Sequence, residues 1–185
     1  MRRVEVMDAR EIARALERMA AELLERGGDE ALLYLIGVQT RGVPLARRLA
    51  RLVAAATGRE VPVGALDITL YRDDIGPWRP AHQQPVLRAT NLPVAIDGRV
   101  VCLVDDVLYT GRTVRAALDT LMDYGRPRAI RLAVLVDRGH RELPIAADFV
   151  GRTVPSSRIE DVQVRLKEID GEEGVWIARE DGDER

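Results

Sequence analysis

Two adjacent carboxylates, Asp105 and Asp106, directly follow the apolar run Val100-Val101-Cys102-Leu103-Val104. Val107-Leu108-Tyr109-Thr110-Gly111-Arg112-Thr113 comes next. The apolar run is mostly β-branched, which suits a strand buried on both faces of a parallel sheet. Beyond Thr113, the spacing of Val114, Ala117, Leu118, Leu121 and Met122 predicts an amphipathic helix, stopped by Gly125 and Pro127. The order is therefore strand, acid pair, short polar loop with a glycine, helix N-terminus. Backbone N–H groups and the positive end of a helix make such a loop an anion site suited to phosphate. Thr110 and Thr113 add hydroxyl donors. Two carboxylates would repel a phosphate, so they must face a group that donates hydrogen bonds. Ribose hydroxyls do so. A ribose 5-phosphate fits with its phosphate at 109–113 and its O2 and O3 on Asp105 and Asp106. The glycine patterns of dinucleotide-binding and P-loop folds are absent.

The acids need a sheet edge to stand on, and the chain supplies further strand–loop–helix units. Ala31-Leu32-Leu33-Tyr34-Leu35-Ile36 reads as a second buried strand, running into Gly37-Val38-Gln39-Thr40-Arg41-Gly42. Pro44 starts a helix with the stripe Leu45, Leu49, Leu52 and Val53. Between them lies a loop with glycine at both ends and one arginine, a site for a second anion. Ala129–Val136 is a third buried strand. It delivers Asp137-Arg138-Gly139-His140-Arg141-Glu142-Leu143-Pro144 to the same edge, where ligands of open α/β sheets bind. Ahead of all these, Asp8 and Glu11 form a capping box for a first helix with Ile12, Leu16, Met19, Leu23 and Leu24 inside. Arg10, Arg14, Glu17, Arg18 and Glu25 lie on its outer face. Residues 61–66 and 68–71 read as extended, as do Phe149-Val150, 162–166 and 175–177. From Arg72 to Asn91 no period is visible, and an irregular run of that length suggests a mobile lid.

Over 185 residues, 31% are charged and 46% hydrophobic, with a net charge of -2. This is a soluble balance for one domain with a sizeable core. No apolar run is long enough to span a membrane. The N-terminal residues lack a signal-peptide pattern, and Cys102 is the single cysteine. A cytoplasmic location without membrane association is expected. Lys167 is the only lysine, so any basic face must be built from arginine. No helix-turn-helix is visible.

The apolar run, Asp-Asp, two residues and Tyr-Thr-Gly-Arg-Thr together resemble the phosphoribosyl pyrophosphate (PRPP) motif of type I phosphoribosyltransferases. Gln39–Gly42, Asp67–Asp74 and Val134–Pro144 narrow the likeness, which runs from the first helix to about Asp170. The narrower family comprises bacterial pyrimidine-operon regulators that are also uracil phosphoribosyltransferases. The resemblance implies an α/β type I fold: a central, mostly parallel sheet flanked by helices. It would form one domain over 1–185, with the lid at about 72–91 and a small C-terminal hood at about 137–178. It implies conversion of uracil and PRPP to UMP and diphosphate, with Mg²⁺ on PRPP. No direct protein ligand to the metal is expected, only water-mediated contact by Asp105 and Asp106. Asp105, Asp106 and Arg41 are the implied catalytic residues. Thr40 and Arg41 would bind the diphosphate, and Val107, Leu108, Tyr109, Thr110, Gly111, Arg112 and Thr113 would complete the nucleotide pocket. Val136, Asp137 and Arg138 would meet the base. A cis or strained non-proline peptide is expected near Val38. UMP or UTP in the pocket would increase affinity for the pyrimidine-operon mRNA leader and so attenuate transcription. Arg14, Arg18, Arg141 and Arg152 would contact RNA on a homodimer or larger homo-oligomer. Most type I members carry an aspartate where this chain has Tyr109, which removes the general base used for purines. Two other readings remain: purine-base salvage without an RNA role, and a PRPP-sensing regulator without catalysis.

Overall fold

The computed structural model describes residues 2–26, 29–69 and 89–179. Most of the expected lid, residues 72–88, lies outside them, as do the C-terminal residues 180–185. Five strands form a parallel sheet in the order β3 (Val63–Leu66), β2 (Leu33–Val38), β4 (Val100–Leu108), β5 (Ala129–Asp137), β6 (Phe149–Thr153). The expected type I architecture is present. Each apolar run becomes a strand because its side chains alternate between two buried faces. Leu33, Leu35, Cys102, Val104, Ala133 and Leu135 point to one core, shared with helices α1 (Ala9–Arg26) and α2 (Gly42–Thr57). Tyr34, Ile36, Val101, Leu103, Leu132 and Val134 point to the other, closed by α3 (Arg112–Met122). Among the described residues no helix is long and apolar enough to cross a membrane.

The capping box at the start of α1 forms in both directions. Glu11 N–H donates to Asp8 Oδ1 at 2.8 Å, and Asp8 N–H donates to Glu11 Oε2 at 2.9 Å. Met122 departs from the expected stripe of α3. As the last residue of the helix it is 56% exposed, while Ala116 and Thr120 are buried instead.

The boundary of the expected hood needs correction. Residues 149–153 form the edge strand of the main sheet, because Phe149 and Val150 pair with Ala133 and Val134. The small sheet is antiparallel and contains an element from the other end of the chain. β1 (Arg2–Met7) pairs with β8 (Gly174–Arg179), which pairs with β7 (Glu160–Arg165). A short helix, α4 (Lys167–Asp170), joins β7 to β8.

Cys102 has no exposed surface and lies between β2 and β5. Burial pushes its thiol far above the ordinary range. A thiolate is the reactive form, so an aromatic disulfide reagent should label no cysteine in the folded protein and one after denaturation. Fast labelling under native conditions would mean that the central strand opens.

Candidate active site

The acid pair lies inside β4, with two strand residues, Val107 and Leu108, after it. Asp105 is 6% exposed; Asp106 is half-buried. Each carboxylate is oriented by the next amide. Asp106 N–H donates to Asp105 Oδ1 at 2.9 Å, and Val107 N–H to Asp106 Oδ1 at 2.8 Å. Burial raises the pKa of Asp106, while the Arg41 charge pulls it back.

The loop after β4 turns sharply. Gly111 caps α3 with φ +93°, and the side chains of Leu143 and Ile145 approach the position of a Cβ to 3.4 Å. The positive φ, which L side chains rarely adopt, is what calls for glycine there; the space itself would admit a Cβ. Thr110 Oγ1 accepts the Arg112 N–H at 3.3 Å. The Thr110 carbonyl accepts N–H groups from Glu142 and Leu143 at 2.9 and 3.2 Å. Arg112 pairs with Glu142 at 2.8 Å. The carbonyl side of the loop is thus tied to the 142–143 segment. The first N–H groups of α3 lack intrahelical acceptors by helix geometry, which suits an anion.

The loop after β2 lies against the acids. Its Gln39–Thr40 peptide is cis, close to the expected place near Val38. Gly42, the first residue of α2, packs onto the β4 backbone. A Cβ there would overlap the Val104 carbonyl oxygen and stand 3.3 Å from Asp105 Cα. Arg41 Nε and Nη2 donate to Asp170 of α4 at 3.0 and 2.7 Å. Beside this loop a cleft of about 580 Å³ is lined by Gln39, Thr40, Arg47, Arg51, Asn91 and Glu168, among others, but not by the acid pair.

At the end of β5, Val136 is fully buried and Arg138 is 7% exposed. The Arg138 guanidinium turns inward, to Ser156 Oγ (3.0 Å) and the carbonyls of Ser157 (2.9 Å) and Glu160 (2.6 Å). It also lies 4.2 Å from the centre of the Tyr109 ring. His140, with φ +60°, meets Tyr109 edge-on at 5.9 Å. Asp137 accepts the Gly139 N–H and pairs with Arg141. These residues tie the base-side loop to the phosphate loop, so the Arg138 side chain is a brace.

The four arginines considered for RNA divide. Arg14 is exposed on α1. Arg18 donates to the carbonyls of Val150 and Gly151 on β6, and Arg152 of β6 reaches back to Glu11 (3.0 Å) and the Val6 carbonyl. These three share the α1–β6 surface. Arg141 sits apart and donates to the Tyr109 (2.7 Å), Gly139 (3.1 Å) and Ile145 (3.0 Å) carbonyls. The inward bonding of Arg138 and Arg141, and the roles of Asp170 and Glu142, escaped the sequence reading. Asp170 lies 129 residues from Arg41 and Glu142 lies 30 from Arg112, too far along the chain to leave a local pattern.

Among the described residues no cluster of three or more His, Cys, Asp or Glu side chains could hold a metal alone. The acid pair still suits a hard cation that keeps its waters and takes most of its oxygen ligands from a substrate.

An acid pair flanked by two glycine-containing loops on one edge of a parallel sheet is the arrangement expected of a phosphoribosyltransferase. The family model for the phosphoribosyl transferase domain matches residues 4–168. The fold resembles that of a hypoxanthine phosphoribosyltransferase from Staphylococcus aureus, with TM-score 0.69 at 15% identity, covering 96% of this chain and 92% of that one. A Trypanosoma cruzi hypoxanthine phosphoribosyltransferase gives TM-score 0.71 at 18% identity, covering 96% and 91%. The Bifunctional protein PyrR of Pelotomaculum thermopropionicum is 58% identical over 95% of both chains. That of Thermus aquaticus is 55% identical over 97% of this chain and 98% of its own. The chain belongs to the PyrR family of phosphoribosyltransferase domains.

Proposed function

We propose that the protein transfers ribose 5-phosphate from PRPP to uracil, and that uridine nucleotide in the same pocket strengthens its binding to the mRNA leader of pyrimidine genes. The observation that carries this reading is the packing of Gly42 against Asp105. It brings the 39–42 loop beside the acid pair, which supports those roles in a chain with close full-length PyrR relatives.

In the reaction the C1–O bond to diphosphate breaks and a C1–N1 bond to uracil forms. The electron pair leaves with diphosphate, and the N1 proton passes to solvent or to the departing group. Positive charge builds on the ribose ring between these events. Asp105 and Asp106 hold the ribose hydroxyls, and the 109–113 loop holds the 5-phosphate. Thr40 and Arg41 hold the diphosphate, so the protein contributes mainly positioning and fixed charge. Mg²⁺ entering with PRPP supplies charge neutralisation on the diphosphate. With the Arg138 guanidinium turned inward, the main chain of Val136, Asp137 and Arg138 is what meets uracil.

In this reading the protein works in the cytoplasm as a homo-oligomer. RNA phosphates meet the α1–β6 surface through Arg14, Arg18 and Arg152, and Arg141 braces the neighbouring loop. UMP acts from a distinct site, so its effect is a coupling free energy that must be reciprocal. Arg14→Ala and Arg152→Ala should each weaken RNA binding and lower the slope of log K against log salt by roughly 1. Both should spare uracil turnover. Gel shifts at several salt concentrations, with and without UMP, and turnover with uracil, hypoxanthine and guanine test both halves. Equal RNA affinity with and without saturating UMP removes the regulatory half. Preference for a purine removes the uracil assignment.

A further inference from the structure

The arginine assigned to the diphosphate is held by a residue 129 positions away. Arg41 ends the cis-peptide loop, and its side chain is 31% exposed. Without a partner such a side chain would sample many rotamers, an entropic cost to any complex that must order it. Two of its five N–H donors instead enter a fork with both carboxylate oxygens of Asp170, at 3.0 and 2.7 Å.

The carboxylate is itself fixed. Its side chain is 6% exposed. Oδ2 also accepts the Leu166 N–H at 2.9 Å, which closes the α4 turn, and Arg165 Nη1 stands 3.5 Å from Oδ1. The hydrogen bonds from Arg41, first among its causes, hold Asp170 below the usual carboxylate range. Asp170 therefore stays ionised at neutral pH, and the same hydrogen bonds push the Arg41 guanidinium pKa up. Arg41 also feels the charge of Asp106.

We infer that Asp170 is a positioning residue for catalysis: its fork presets the Arg41 guanidinium, leaving the remaining donors directed toward the diphosphate and the acid pair. This rests on the assignment of Arg41 to the diphosphate. Asp170 acts only through Arg41. The small antiparallel sheet, through α4, thereby becomes part of the catalytic apparatus.

A double-mutant cycle tests this. Asp170→Asn keeps the shape and an oxygen for the Leu166 N–H but loses the charged fork. It should lower kcat/KM for PRPP by roughly tenfold. Arg41→Lys keeps the charge without the fork and should lose a similar factor. Arg41→Ala should lose more, and adding Asp170→Asn to either Arg41 variant should change nothing further. Melting curves monitor folding throughout.

Additive losses in the double variants would make Asp170 a structural residue and overturn the proposal. Tighter calorimetric binding of PRPP–Mg²⁺ to Asp170→Asn would also overturn it, since the carboxylate would then merely oppose the anion. If Arg41→Ala is crippled and Asp170→Asn is not, the positioning role alone fails. If Arg41→Ala turns over normally, the diphosphate assignment fails and takes the positioning role with it.

Discussion

Asp106→Asn should remove most turnover and yet raise the melting temperature. The ionised carboxylate accepts a ribose hydroxyl through a charge-assisted hydrogen bond. Losing it costs about 1.5–3 kcal/mol of transition-state stabilisation, a ten- to hundredfold fall in kcat/KM. Stability should move the other way. Burial raises the pKa of Asp106 from the ordinary 3.8, with Arg41 only partly opposing it. A carboxylate with a raised folded pKa favours the native state below about 3.8 and loses that contribution as pH rises through the folded value. At neutral pH the buried charge is a cost, which asparagine relieves. In a domain of this size each kcal/mol relieved appears as about 2–4 °C. The stabilisation should be largest near pH 7 and shrink as pH falls toward 4. Thermal melts at both pH values, with PRPP turnover measured alongside, read the two effects separately. A lower melting temperature at pH 7 would mean that attraction to Arg41 outweighs desolvation. Unchanged turnover would remove Asp106 from the ribose site.

Gly42→Ala should be severely damaging to function. The added Cβ would overlap the Val104 carbonyl and crowd Asp105 Cα. β4 cannot give way, because it is paired on one side with β2 and on the other with β5. The start of α2 must therefore move, carrying Arg41 and Thr40 from the acid pair. Overpacking of this kind costs typically about 1–3 kcal/mol of stability. A displacement of about 1 Å between binding groups costs on the order of a hundredfold in rate. The variant should remain folded in circular dichroism, melt several degrees lower and retain about one per cent or less of wild-type kcat/KM. A folded variant with wild-type kinetics would show that the two loops are not positioned through this contact.

The sequence by itself determined most of the main sheet and the edge on which the acid pair stands. A strand buried on both faces must be apolar at every position, so Leu33–Val38, Val100–Val104 and Ala129–Val136 are legible from local composition. Helix ends are equally local, as the Asp8–Glu11 capping box and the glycine at position 111 show. The acids, the two loops and the base-side segment could therefore be assigned to one edge of the sheet. Tertiary structure alone decided which distant pieces meet. β1 carries an alternating pattern in Val4 and Val6, but nothing local names β8 as its partner. Phe149–Thr153 could have joined either sheet, and pairing with β5 placed it in the main one. Arg18, Arg138, Arg141 and Arg152 read as surface charge or ligand contacts, yet their guanidinium groups go to carbonyls distant along the chain. The physical reason is common to these cases. Periodicity records which side of an element is dry, whereas a hydrogen-bond partner on another element is set by packing, as with Arg41 and Asp170, 129 positions apart.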